Sequence, residues 1–391
     1  MDNHIKGYIL PFIVIAQLFC TSLWFAGNAV IGDLQFAFGF GGEATGSLTS
    51  LVQSGFIVGT LLFAFLKIAD RFPPAMVFMI SALLGGASNA AITLDFVTIE
   101  SVFILRFSTG FFLAGIYPVG MKIASDYHEK GLGMALGYLV GALVIGTASP
   151  HLLKEWFASG PWEYVMYSTS CLAVIGGLMI GIGVPSGPYR KLSPNVDFTA
   201  FFTVFANSKL RSAAFGYFGH MWELYAFWAF IPIYLSLYNG LNNTSISQSI
   251  TTFFVIAIGG LACVFGGYLT FRHGSQSVAF NALLLSLICC ICSPFALLLP
   301  KLFFITFLMI WGMAVITDSP QFSTLVAKFA ADESVGTALT IVNSIGFAIT
   351  IGSISLLNHI DPESIYLFLW LAPGPLLGVL SFYPVHIKKN E

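Results

Sequence analysis

Charge is scarce in this sequence. Only 9% of its 391 residues are Asp, Glu, Lys or Arg, whereas 57% are apolar, and the mean hydropathy is +0.86. A soluble domain carries about 25% charged residues, so the composition excludes a soluble protein and makes the lipid bilayer the expected solvent. The formal net charge of −2 also argues against nucleic acid as a partner.

Two kinds of chemical site are missing as well. No segment is long enough to fold as a nucleotide-binding domain and no G-x-x-x-x-G-K-[ST] loop occurs, which excludes ATP-driven transport by this chain alone. The six cysteines all lie in apolar runs, without the spacing of a zinc site or of a disulfide framework. We therefore expect no metal and no cofactor.

Long apolar runs make up most of the chain instead. Runs of about 20 residues between short polar turns are typical of transmembrane helices. The first run is too long for a cleaved signal peptide, and no A-x-A-like site follows it. The predicted spans are 8–31, 46–66, 74–94, 100–124, 132–152, 163–185, 212–238, 247–270, 275–299, 302–327, 335–357 and 363–386. Twelve spans predict an all-α integral membrane protein with both termini on one side.

Lys and Arg are distributed unequally between the two sides. If the N-terminus is cytoplasmic, only Lys154 and Lys301 lie in outer loops, and Arg106 lies within a span. The inner segments then hold Lys6, Lys67, Arg71, Lys122, Lys130, Arg190, Lys191, Lys209, Arg211, Arg272, Lys328, Lys388 and Lys389. Because positive charge stays on the cytoplasmic side, thirteen against two predicts that both termini are cytoplasmic.

The chain divides into two halves that repeat each other. The longest stretch outside the predicted spans, 186–209, contains Gly187, Pro188 and Pro194 and is interpreted as a cytoplasmic linker between a six-helix bundle over 1–185 and another over 210–391. Three matches fall at offsets of 201 to 203 residues. They pair "LKIADRFP" (66–73) with "GYLTFRHG" (267–274), "TGFFLAGIYP" (109–118) with "WGMAVITDSP" (311–320), and "GMAL" (133–136) with "GTAL" (336–339). Six helices repeated in parallel are the symmetry expected of a transporter with two moving halves.

Over essentially its whole length the chain resembles the major facilitator superfamily. That family carries G-x-x-x-D-R-x-G-R between helices two and three; Asp70 and Arg71 match its core, and Arg272 matches in the second copy. The helix-four pattern R-x-x-x-G-x-x-x-x-G is similar to Arg106, Gly110 and Gly115. The resemblance implies two pseudo-symmetric six-helix bundles, a gating role for Asp70, Arg71 and Arg272, and a transporter rather than an enzyme. The glycine–proline signature of antiporters is absent from helix five.

The stretch "GYFGHMWELYAFWAFIP" (216–232) places two ionisable residues deep in the seventh span. Glu223 lies 12 residues after Arg211 and 16 before Asn239, and His220 shares its helical face. Charge at that depth is costly, and desolvation penalises a carboxylate anion. Such a carboxyl group can exchange protons near neutral pH, so we expect Glu223 to couple transport to protons, with His220 beside it. The alternative is a helix-packing role.

Asp318 and Arg106 complete the set of candidate coupling residues. Asp318 lies as far from the outer end of span ten as Glu223 does in span seven, so the two acids are expected to be neighbours that share a proton. Alternatively, Asp318 satisfies backbone donors freed by Pro320. Arg106 must meet an acid, a substrate anion or water, or it snorkels to the interface. In families that the chain resembles, the helix-four arginine serves proton coupling or anion binding.

One polar stripe in the first span and several residues elsewhere are expected to bind the solute. The stripe has steps of four, three and four residues, and a polar face on an apolar helix indicates a water-filled cavity. Aromatic residues are included because they could stack on a planar or amphipathic ligand, although such residues more often only pack. The predicted substrate-binding residues are Arg106, Gln17, Thr21, Trp24, Asn28, Gln53, Tyr117, Trp222, Tyr225, Trp228, Trp311 and Asn343.

The leading hypothesis is a secondary active transporter that moves a small polar or anionic solute by alternating access and is coupled to protons. Its expected partners are the solute, protons and lipid, and we expect a monomer in a bacterial inner membrane. The first alternative is a proton-driven exporter of an amphipathic compound. The others are an intramembrane enzyme using His220 and Glu223 as metal ligands or acid–base groups, and a solute-sensing receptor. The accidental frequency of H-x-x-E disfavours the enzyme, and the lack of a signalling domain disfavours the receptor.

Overall fold

The computed structural model describes residues 7–128, 132–190, 205–330 and 335–387, and in these ranges the secondary structure is entirely helical. The α-helices are α1 (Ile9–Thr21), α2 (Ala26–Ala29), α3 (Ile31–Phe38), α4 (Ala44–Phe65), α5 (Ile68–Arg71), α6 (Pro74–Ala90), α7 (Ile99–Leu113), α8 (Tyr117–Tyr127), α9 (Leu132–Trp156), α10 (Glu163–Gly183), α11 (Ser208–Asn242), α12 (Gln248–Ala296), α13 (Lys301–Thr317), α14 (Ser319–Phe329), α15 (Val335–Asn358) and α16 (Pro373–Ile387). Short 3₁₀-helices cover Ala91–Thr93 and Leu367–Leu371.

The apolar helices give the predicted number of spans. Among the described residues, nine helical segments are long and apolar enough to cross a membrane, and Ile9–Thr21 and Leu367–Phe382 are shorter apolar ones. One of the nine, the 49-residue α12, contains two spans that meet at Gly274, where φ is 76° and ψ is 153°. Glycine tolerates that backbone conformation because it has no Cβ. Twelve spans result, and the predicted twelve-helix fold is confirmed.

The chain forms two compact units, residues 1–195 and 196–391, called unit 1 and unit 2 below. The central part of the predicted linker, 191–204, lies outside the described residues, and Pro194 lies there with it. Five of the basic residues used for the orientation, Lys6, Lys130, Lys191, Lys388 and Lys389, also lie outside the described ranges. The cytoplasmic position of the two termini therefore stays a prediction.

The first span is interrupted, which corrects the single helix expected over 8–31. Helix α1 ends at Thr21, and α2 begins at Ala26 after four residues of turn and bend. An interruption inside a membrane span releases backbone groups that water cannot satisfy, so protein groups must do so. Arg106 satisfies two of them, as described in the next section.

The fourth and tenth spans break at the two prolines that the sequence repeat had paired. Helix α8 carries Pro118 in its first turn and α14 carries Pro320 in the same place. Proline has no N–H to donate and its ring disturbs the carbonyl four residues earlier. For Pro320 that carbonyl belongs to Ile316, and it accepts a hydrogen bond from Cys263 Sγ at 3.5 Å.

A glycine contact is also repeated in the two units. In unit 1, a Cβ added to Gly110 on α7 would collide with the backbone of Val52 on α4. In unit 2, a Cβ added to Gly312 on α13 would collide with the backbone of Val255 on α12. The two glycines are 202 residues apart and the two valines 203. Small residues let membrane helices approach to backbone contact, so the same helix pair is joined in the same way in both halves.

Candidate functional site

Glu223 is the centre of a hydrogen-bonded cluster inside unit 2. Its side chain is buried and joins α11 to the ninth and tenth spans. Ser286 Oγ donates to Glu223 Oε1 at 2.6 Å and Trp311 Nε1 donates at 2.5 Å. Cys290 Sγ donates to the same oxygen at 3.3 Å. Three donors on one oxygen stabilise a carboxylate, while the other oxygen, Oε2, has no partner among the residues that the structure describes.

A second pair of ionisable groups lies beside this cluster. His220 Nδ1 is 2.8 Å from Asp318 Oδ1, and the relative exposure of both side chains is 1%. Neither ring nitrogen of His220 and neither carboxyl oxygen of Asp318 makes a hydrogen bond within the described part of unit 2, so their contact is one of ion-pair distance. At this distance the two side chains form an ion pair whenever the imidazole is protonated.

The Glu223–Trp311 and His220–Asp318 contacts both join the seventh span to the tenth span, and they lie next to each other along these spans. Glu223 and His220 are three residues apart on α11, so they occupy one helical face. Trp311 and Asp318 are seven residues apart along the tenth span, which is two helical turns. The two acids lie in neighbouring contacts, but no hydrogen bond joins their carboxyl groups within the described residues: Glu223 accepts from Ser286, Cys290 and Trp311, and Asp318 lies against His220. In the described ranges no Lys or Arg lies within ion-pair distance of either acid.

Arg106 holds the break in the first span. Its side chain is completely buried in unit 1. Nη2 donates to the Trp24 carbonyl at 2.9 Å and Nη1 donates to the Leu23 carbonyl at 3.5 Å and to Asn89 Oδ1 at 3.2 Å. Gly27 leaves room for the guanidinium, because a Cβ there would be 3.2 Å from Arg106 Nε. A snorkelling position is thereby excluded, and no acid pairs with this arginine within the described residues.

Asn89 fixes the orientation of that guanidinium. Its Nδ2 donates to Thr169 Oγ1 at 3.0 Å, to Ser170 Oγ at 3.0 Å and to the Met166 carbonyl at 3.1 Å. The amide oxygen is thus turned toward Arg106. This network ties the third, fourth and sixth spans to the interrupted first span, and every one of its side chains is buried.

The polar stripe of the first span divides into two kinds of residue. Thr21 Oγ1 donates to the Gln17 carbonyl at 2.8 Å and Asn28 Nδ2 donates to Thr49 Oγ1 at 2.7 Å, so these side chains have partners inside unit 1. Gln17 and Gln53 are fully buried, and neither of their amide groups has a hydrogen-bond partner in the described chain. Trp24 lies against Phe56 with ring centroids 4.8 Å apart.

The other predicted binding residues are dispersed. Tyr225 and Trp228 are buried and pack edge-to-face with centroids 5.4 Å apart. Trp222 lies away from them, where its Nε1 donates to the Trp370 carbonyl at 3.4 Å. Tyr117 and Asn343 are half-buried. Trp311 differs from all of these because it binds Glu223 directly, with its ring packed on Phe227 and Phe368.

The three residues with the predicted gating role, Asp70, Arg71 and Arg272, have different surroundings. Asp70 forms an ion pair with Lys122, 2.9 Å between Oδ1 and Nζ. Arg71 and Arg272 are exposed at their respective positions in unit 1 and unit 2. Arg190 donates to the backbone carbonyls of Asp70 and Phe72 at 2.9 and 3.1 Å. In unit 1 the acid of the motif thus fastens the second–third span loop to the fourth span.

We expect Asp70→Asn to lower the melting temperature of the purified protein more than Asp33→Asn does. The Asp70–Lys122 pair is mostly buried, with side-chain exposures of 11% and 17%, whereas the Asp33–Lys154 pair is 37% and 24% exposed. Exposed pairs contribute about 0–1 kcal/mol, while breaking a more buried pair also strands a charge. Thermal unfolding in detergent at low and high salt measures both. Equal shifts for the two variants would contradict a special role for Asp70.

Several residues of these clusters were missed from the sequence. Ser286 and Cys290 donate hydrogen bonds to Glu223, yet the sequence analysis used the cysteines only to argue against a zinc site and a disulfide framework. Asn89 orients Arg106 and was not singled out. His151 lies in the fifth span with an exposure of 2%, and it follows Pro150 near the predicted end of that span. Its presence in an apolar helix was the available signal.

Comparison with known proteins agrees with this architecture. The family model described as Major Facilitator Superfamily matches residues 13–353. A search of curated proteins gives no significant match. Among solved structures, the proton:xylose symporter XylE is 14% identical, with 96% of this chain and 94% of that chain covered and a TM-score of 0.74. The xylose transporter XylE is described as coming from E. coli.

Two further solved structures share the fold. The nucleoside transporter NupG is 15% identical, covers 96% of this chain and 99% of its own, and has a TM-score of 0.71. A bacterial homologue of the human lysosomal transporter Spinster is 14% identical, covers 99% and 96%, and has a TM-score of 0.69. At such identities the likeness concerns the fold. With the family model matched over most of its length, this chain is a multi-pass membrane transporter, not an enzyme, and belongs to the Major Facilitator Superfamily.

Proposed function

We propose that this protein is a proton-coupled secondary active transporter in which Glu223 carries the proton and a small polar solute moves in the same direction. The observation that carries the proposal is the environment of Glu223. One of its oxygens accepts three hydrogen bonds, and the other has no partner among the described residues. The donors favour the carboxylate, whereas complete burial without a neighbouring cation penalises it. A group under these opposed influences can exist in both protonation states.

The His220–Asp318 pair supplies a second proton-exchanging site one helical turn away. Because its two groups are in contact at 2.8 Å, either of them can hold a proton without leaving an isolated charge in the membrane. In the orientation predicted from the basic residues, α11 runs from the cytoplasm outward, so His220 is on the cytoplasmic side of Glu223. We assign this pair to proton exchange between Glu223 and the cytoplasm.

The remaining parts of the proposal concern setting and partners. We assign the protein to a bacterial inner membrane as a monomer, with the solute and protons as its partners. We assign Arg106 to holding the interrupted first span, since its donors are engaged by backbone carbonyls and by Asn89. The amphipathic exporter is less favoured, because Trp311 and Phe227 pack on each other with ring centroids 4.4 Å apart.

Proton coupling is tested by solute accumulation in proteoliposomes. A thermal-stabilisation screen against a library of small polar solutes first identifies a bound compound. Uptake of that compound is then measured with and without an imposed pH gradient, and the internal pH is followed with an entrapped dye. We expect an inward proton gradient to raise accumulation of the solute, and solute entry to acidify the vesicle interior. Uptake that ignores the gradient would refute the proposal.

A further inference from the structure

Buried polar groups without protein partners line the first span of unit 1. They are the two amide groups of Gln17 and Gln53, the hydroxyl of Thr147 and Nε2 of His151, and none has a hydrogen-bond partner within the described residues. The four side chains are at most 2% exposed. Folded proteins seldom leave such groups unsatisfied. We call Gln17, Gln53, Thr147 and His151 the first-span polar face.

Gln53 is directed at the interruption of the first span by its neighbours on α4. Thr49, Gln53 and Phe56 follow one another at steps of four and three residues, so they share one helical face. Thr49 binds Asn28, and Phe56 packs on Trp24. Because the residues before and after Gln53 on this face contact Asn28 and Trp24, we infer that its amide faces the first span between these two residues.

Thr147 and His151 approach the same span from α9. Thr21 Oγ1 is 3.5 Å from the Leu143 carbonyl, and Thr147 and His151 follow Leu143 at steps of four residues on that face. They are not needed to repair the helix at Pro150, because Ser149 Oγ already donates to the Gly146 carbonyl at 2.7 Å. Their polar groups are therefore available for a ligand.

Gln17 extends the face by about two turns toward the start of α1. Its Oε1 lies over Gly120 of α8, where an added Cβ would collide with it. The absence of a side chain at Gly120 therefore makes room for the Gln17 amide itself.

The polar groups of this face suit an uncharged ligand. The one strong charge nearby, Arg106, is engaged by the carbonyls of the interruption and by Asn89. Each amide offers donors and an acceptor, and so do a hydroxyl and a neutral imidazole. Hydroxyl groups, which both donate and accept, complement such a set, whereas a carboxylate only accepts. We infer that the first-span polar face binds an uncharged solute rich in hydroxyl groups, with His151 as a binding residue.

This inference rests on the proposed transport function and narrows its solute to the neutral, hydroxylated class. The test uses the full-length purified protein and a panel of pentoses, hexoses, polyols and ribonucleosides, each beside its carboxylate or amine analogue. Binding is measured by thermal stabilisation and by titration calorimetry. We expect a neutral member to bind and its charged analogues to bind more weakly.

Variants locate the binding to this face. Thr147→Val and Gln53→Leu should each lower the affinity for the neutral ligand by about three- to tenfold, which is the effect of losing one hydrogen bond to an uncharged group. The His151→Gln variant should bind the neutral ligand more tightly than the His151→Leu variant does. Thr109→Val is the matched control, because Thr109 is equally buried but its hydroxyl donates to the Leu105 carbonyl of its own helix at 2.8 Å.

Three results would overturn the inference: tighter binding of a charged analogue, no binding across the neutral panel, or unchanged affinity in both Thr147→Val and Gln53→Leu. These results differ from a failure of the proposed function. Gradient-driven uptake of an anion would leave proton coupling intact and refute the neutral ligand. Binding of a neutral solute that depends on Thr147, together with uptake that is independent of the pH gradient, would support the neutral ligand and refute proton coupling.

Discussion

Glu223→Gln is expected to abolish accumulation driven by a pH gradient. Glutamine keeps the size of the side chain, and its amide oxygen can still accept from Ser286 and Trp311, but it cannot bind or release a proton. For one proton per solute, a gradient of one pH unit supports about tenfold accumulation. The variant should fall to the level reached without a gradient, an accumulation ratio of about one. Uptake of labelled solute into proteoliposomes measures this ratio.

A second assay separates lost coupling from lost folding. Counterflow, in which labelled solute exchanges for unlabelled solute at equal pH, needs the moving solute site but no net proton transfer. Glu223→Gln should retain counterflow. Glu100→Gln is the matched control, since Glu100 is exposed in the first turn of α7. Accumulation by Glu223→Gln equal to wild type would show that the proton moves elsewhere, while loss of both assays together would point to misfolding.

The repeat and the span pattern could be predicted from the sequence because they rest on local properties. Apolar length defines a span whatever its neighbours are. Internal offsets paired Gly110 with Gly312 and Pro118 with Pro320, and the structure places the first pair in equivalent helix contacts and the second at equivalent breaks. These residues act through their own backbone, so their type and position carry the information.

The partners of the buried charges could not be predicted in the same way. Ser286 and Cys290 are 63 and 67 residues from Glu223 along the chain, and only the packing of the ninth span brings them together. Their residue types are ordinary in membrane helices.

The interruption of the first span was missed for a related reason. Residues 22–25 contain no proline or glycine to mark a break. The break depends on a guanidinium that lies 82 residues from the Trp24 carbonyl it binds. The polar stripe was predicted there from helical spacing, and that spacing assumed one continuous helix, which the structure does not have.

The second large effect is expected from alanine at the repeated glycine contact. In Gly110→Ala the new Cβ would collide with the carbonyl oxygen, the carbonyl carbon and the Cα of Val52, which are backbone atoms that cannot rotate away. Helices α4 and α7 must then separate, and overpacking of this kind costs about 3 kcal/mol or more. A loss of that size corresponds to a melting temperature lower by about 6–12 °C for a unit of this length. Thermal unfolding in detergent measures the shift.

Gly312→Ala should behave in the same way, because its Cβ would meet the backbone of Val255. Gly137 on α9 and Gly240 on α11 are the controls, since an added Cβ meets no atom within 4 Å at either position. There alanine should be neutral or stabilising by up to about 1 kcal/mol through its helix propensity. Destabilisation by only one of Gly110→Ala and Gly312→Ala would contradict shared packing of the two units. Similar losses of stability in both variants would show that the sequence repeat corresponds to the same helix contact in each half.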